Sequence, residues 1–149
     1  MQVSRKLAMT TRLVELLRAR RRSAEVALAS ARAAERTAQL EEQVARDDSD
    51  AAHGDWEVYL STPGFSPEHS QSLALRLLER EDEADAAAFR TRLAADVHAR
   101  RQGDWQRLEA QTRSGKESCR ALERKVRRRR EEDGHGQTAD LITYRWSRT

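Results

Sequence analysis

The sequence predicts an all-α protein: a long antiparallel two-helix coiled-coil hairpin over residues 1–133, followed by a flexible C-terminal tail over 134–149. Three observations carry that expectation. Apolar or small residues recur in alternating steps of three and four through both halves of the chain, which is the pattern of a coiled-coil seam. One Pro-Gly turn separates the halves. The composition is 36% charged, 38% hydrophobic and only 5% aromatic, which suits long solvated helices around a thin seam better than a globular core.

The first helix is expected over about residues 3–61. Its seam runs Val3, Leu7, Thr10, Val14, Leu17, Arg21, Ala24, Leu28, Ala31, Glu35, Ala38, Glu42, Ala45, Ser49, Ala52, Trp56 and Tyr59. Large residues mark the ends and alanines fill the middle. Arg21, Glu35 and Glu42 are imperfect seam residues, so the middle is expected to be the weaker part. The Asp-rich stretch ending in Gly54 invites a break, because Asp and Gly are poor interior helix residues. Continuation is favoured, since Trp56 and Tyr59 stay in phase.

Residues 62–66, Thr-Pro-Gly-Phe-Ser, form the turn. Ser66, Pro67 and Glu68 then supply an N-cap hydroxyl, a proline at the first helical position and an acid in the first turn. The second helix is expected over about 67–133. Its seam runs Leu73, Leu77, Arg80, Ala84, Ala87, Thr91, Ala94, His98, Arg101, Trp105, Leu108, Thr112, Gly115, Cys119, Leu122, Val126 and Arg129. Gly103 and Gly115 are its weak points, each costing about 1 kcal/mol against Ala. A turn this short forces the helices antiparallel, and facing seam residues should then have numbers summing to about 129. That register sets Trp56 against Leu73, Ala24 against Trp105, Val14 against Gly115 and Leu7 against Leu122. The tail beyond 133 leaves the pattern, with Leu-Ile-Thr-Tyr-Arg-Trp as its one apolar-aromatic patch.

Charge is sorted along the chain. Residues 1–36 hold nine Arg or Lys against Glu15, Glu25 and Glu35, and residues 113–130 hold nine against Glu117 and Glu123. Residues 41–57 hold seven acids against Arg46, and residues 79–85 hold five against Arg80. The hairpin is therefore expected to be basic toward its open end and acidic toward its turn, an arrangement that steers and orients partners.

Enzymatic chemistry is not expected. The four histidines form no HExxH, and neither GxxxxGK[ST] nor GxGxxG occurs. No catalytic, metal or cofactor residue is assigned, and no cofactor is expected. Cys119 is the single cysteine and falls on the seam as a small apolar residue. The N-terminal stretch has charges every few residues and no unbroken apolar run, so it does not read as a secretory signal. Nothing reads as a membrane span. The clusters Arg18/Arg20/Arg21/Arg22 and Arg127–Arg130 could meet phosphates, but no base-reading module accompanies them.

The whole chain resembles the FliJ/YscO family of type III secretion and flagellar export proteins. The resemblance rests on length, on the basic opening VSRKLAMTTRLVELLRARRR, on the turn region GDWEVYLSTPGF and on a second helix ending in KVRRRR. It implies a cytoplasmic stalk, peripheral to the membrane-embedded secretion apparatus, that is monomeric alone. It implies that Arg18, Arg21, Arg22, Arg124 and Arg127 meet a hexameric secretion ATPase. It also implies that Trp56, Tyr59 and Phe65 face the export gate, or an export chaperone. The alternative reading is a generic coiled-coil scaffold. A nucleic-acid-associated basic coil is a further one.

Overall fold

The structure, a computed structural model, describes residues 2–147. Two helices account for nearly all of them: α1, Gln2–Ser61, and α2, Pro67–Trp146. They pack against each other as an antiparallel all-α hairpin. The chain forms two units. One comprises Met1–Ala24 with Trp105–Thr149, and the other comprises Glu25–Asp104.

The heptad pattern decides which side chains are covered. The buried residues are Val14, Leu28, Ala31, Ala38, Ser49 and Ala52 of α1 with Ala87 and Thr112 of α2, and every one is a seam position. Two residues assigned to the seam, Arg101 and Arg129, are exposed instead. A guanidinium at the edge of a seam reaches solvent through its aliphatic stem, so the phase continues while the charge stays wet.

The expected register is present in each unit. In the unit of the chain ends, a Cβ built on Gly115 would stand 2.9 Å from Val14 Cγ2. Gly115 is therefore a notch for Val14 and not merely a weak point. In the turn-bearing unit, Thr91 Oγ1 donates to the Ala38 carbonyl at 3.1 Å. Both pairs have numbers summing to about 129, the value a short antiparallel connection dictates.

Several polar seam residues are held in pairs. Arg21 Nη1 bonds Glu109 Oε2 at 2.8 Å. His98 Nδ1 lies 2.5 Å from Glu35 Oε2. Arg32 Nε donates to His98 Nε2 at 3.3 Å, so Nδ1 carries the imidazole proton and donates it toward Glu35. Glu42 pairs with Arg46 one turn on.

α1 does not break at the Asp-rich stretch. Ser49 and Ala52 are buried there, Gln43 bonds Asp47 at 2.9 Å, and His53 Nε2 meets Glu81 Oε1 at 2.9 Å. Tertiary packing thus overrides local propensity. The end of α2 corrects the sequence expectation. The helix does not stop at Asp133 but continues to Trp146 through Gly134 and Gly136, so the stretch expected to be a flexible tail is helical as far as it is described. No proline lies beyond Pro67, and two glycines alone cost only about 2 kcal/mol. Thr138 and Thr143 each bond the carbonyl four residues back, at 2.9 Å. Every described residue from Arg127 onward is exposed.

Candidate functional site

Two places gather the residues singled out by the sequence, one in each unit. In the unit of the chain ends, Arg18, Arg22, Arg124 and Arg127 are all exposed. A groove of about 370 Å³ brings Arg18 of α1 together with Lys116 and Arg120 of α2, and Glu15 and Glu123 also line it. The two basic segments therefore contribute to one surface. Among the described residues Arg127 meets Glu131, Nε to Oε1 at 3.9 Å, and an exposed pair of that length leaves its charge available.

Arg21 stands apart from this set. It is a seam residue, its guanidinium is held by Glu109, and its Nε is buried without a hydrogen-bond partner. Its position suits it to joining the helices rather than to meeting a partner. Cys119 lines the same groove, half-buried, with its Sγ 4.0 Å from Thr11 Oγ1.

The turn is built around Tyr59. Its hydroxyl donates to the Ser66 carbonyl at 2.9 Å and accepts from the Ser66 N–H at 3.1 Å. One phenol thus clamps the residue that starts α2. Ser66 Oγ in turn accepts the His69 N–H at 3.4 Å, the N-cap bond to the third helical residue. Thr62 Oγ1 bonds the Val58 carbonyl at 2.7 Å and closes α1. Gly64 has φ +108°, a backbone conformation that glycine adopts at little cost and side-chain-bearing residues do not.

The three aromatic candidates divide by role. Trp56 and Tyr59 are half-buried, with ring centroids 6.0 Å apart. His69 completes the stack edge-on to Tyr59 at 5.1 Å. Phe65 is 78% exposed. Trp56 and Tyr59 hold the turn, and Phe65 is the ring it presents to solvent.

Sequence reasoning passed over two features. Arg80 reaches Glu83 Oε2 at 2.8 Å and Asp48 Oδ2 at 3.6 Å. The hydrogen bond it donates to Glu83, then the charges of Glu83 and Asp48, hold its guanidinium above the ordinary arginine range. The Arg32–His98–Glu35 cluster was also missed. Both could have been found by asking which polar seam residues on one helix fall within a turn of an opposite polar residue on the other.

Among the described residues, no group of three or more His, Cys, Asp or Glu is arranged to hold a metal ion, and no helix is long and apolar enough to cross a membrane. No protein-family model, curated protein or solved structure gives a significant match to this chain.

Proposed function

We propose that the protein is a stalk of a type III secretion apparatus, inserting its basic end into a hexameric secretion ATPase. There it promotes ring assembly and hydrolysis, links the ring to the export gate and binds export chaperones. The observation that carries this reading is the groove in which Arg18 of α1 lies beside Lys116 and Arg120 of α2, with Arg22, Arg124 and Arg127 exposed on the same two antiparallel helices. A ring lined with carboxylates would be met by arginines from both helices at once. Electrostatic complementarity of that kind sets orientation and on-rate more than affinity. At the turn, Phe65 is the contact residue, and Trp56 and Tyr59 act by holding it in place.

The test is ATP hydrolysis by the type III secretion ATPase of the same organism, with and without this protein. Stimulation saturating near one hairpin per hexamer is expected. Charge reversal at Arg18 and Arg124 together should abolish the stimulation without changing the melting temperature, since both side chains are exposed. No stimulation of a competent ATPase by the folded hairpin would transfer the reading to a coiled-coil scaffold that works without nucleotide.

A further inference from the structure

The turn-bearing unit has a second apolar surface that the seam does not use. Along one flank of α1, Leu40 and Val44 are 70% and 60% exposed. They line a groove of about 400 Å³ together with Glu41, Ala45, Asp48, Glu83 and Arg90. On α2 the same flank continues from Arg90 through Leu93 and Val97, spaced by three and four residues. Leu93 and Val97 are about half exposed, at 49% and 46%. Helical spacing on both sides makes this a strip running along the helix axes, the shape that accepts another helix.

Its surroundings select the partner's charge. Around Leu40 and Val44, segments 41–48 and 79–90 carry nine carboxylates against Arg46, Arg80 and Arg90, whereas around Leu93 and Val97 the charges are mixed, Arg32, Arg36 and Arg92 with Glu35 and Asp96. Arg80 is already held between Asp48 and Glu83. A phosphate backbone or an anionic bilayer would be repelled by this field, as would an acidic helix. A helix with an apolar stripe bordered by Lys or Arg would bury Leu40, Val44, Leu93 and Val97 while its cations met Glu41, Asp48 and Glu83, the acids that line the groove.

We infer that this strip is a docking groove for a basic amphipathic helix of another protein. The inference does not depend on the ATPase reading, because the groove lies in the unit Glu25–Asp104 and the arginines of that reading lie in the other.

The test uses the full chain and a fluorescein-labelled amphipathic Leu/Lys helix of about eighteen residues, long enough to present an apolar stripe over several turns. A Leu/Glu peptide of the same pattern is the control, and binding is read by fluorescence anisotropy. The Leu/Lys peptide should bind and the Leu/Glu peptide should not. Val44→Lys with Leu93→Lys should weaken binding about tenfold or more, a loss of about 1.4 kcal/mol, at unchanged helicity by circular dichroism. Leu13→Lys with Leu16→Lys, which are exposed residues of the other unit, should leave it intact. Equal binding of both peptides, or equal loss from both pairs of substitutions, would overturn the proposal. So would a dimer, seen by sedimentation, that Val44→Lys with Leu93→Lys dissolves, because the groove would then belong to a second copy of this chain.

Discussion

The two units solve the same problem with different residues. In Glu25–Asp104 the covered seam is made mostly of alanine: Ala31, Ala38, Ala52 and Ala87, with Leu28 and Ser49. Small side chains let two helix backbones approach, and Thr91 then reaches across to a main-chain carbonyl of α1. The unit of the chain ends uses fewer and larger pieces. Val14 fits the notch at Gly115, Thr112 is almost fully covered, and Arg21 and Trp105 each bury an N–H without a partner. Alanine contributes little area per residue, so closeness and paired polar groups do more in the first unit. In the second, shape-matched pairs matter more, and imperfect ones are tolerated.

The comparison breaks most readily at Leu28, the one large side chain buried among the alanines. Leu28→Ala should cost about 2–3 kcal/mol, read by urea denaturation. A cost below about 1 kcal/mol would show that the alanine seam closes over the gap. Ala87 is 1% exposed, so Ala87→Leu should force the backbones apart at about 1–3 kcal/mol, against negligible change for a leucine at an exposed flank position. The glycines of α2 should answer in opposite directions. Gly103 has open space around it, so Gly103→Ala should raise stability by about 1 kcal/mol through helix propensity. Gly115→Ala should lose that gain and more against Val14, and a melt of each variant distinguishes the two. The smallest effect is expected at Trp105→Phe. It removes a buried donor that has no acceptor and should be neutral or mildly stabilising, by up to about 1 kcal/mol.

Much of this arrangement is legible in the sequence. The heptad phase identifies every buried residue, and the short turn dictates the register that sets Val14 against Gly115. Ser66-Pro67-Glu68 announces the start of α2 because an N-cap is a local interaction. The end of α2 is less legible, because Gly134 and Gly136 weaken a helix without stopping it when no proline follows. Tyr59 reads from the sequence as the last seam residue before the turn. Its role as the clamp on Ser66 depends on a hydroxyl reaching across the turn, which periodicity does not encode. Arg21 reads as part of a basic cluster. That its guanidinium is held by Glu109 follows only from the opposite helix, and the same holds for Glu35 and His98.

The hairpin itself is tested most directly by Thr11→Cys in an otherwise native chain. Cys119 is the single cysteine, and its Sγ lies 4.0 Å from Thr11 Oγ1. Mild oxidation of a dilute sample should close an intramolecular disulfide, leaving a monomer on a non-reducing gel. Its melting temperature should rise, since a loop of about a hundred residues is constrained in the unfolded chain. Disulfide-linked dimers in place of that monomer would mean that α1 pairs with α2 of another molecule, and would contradict the account.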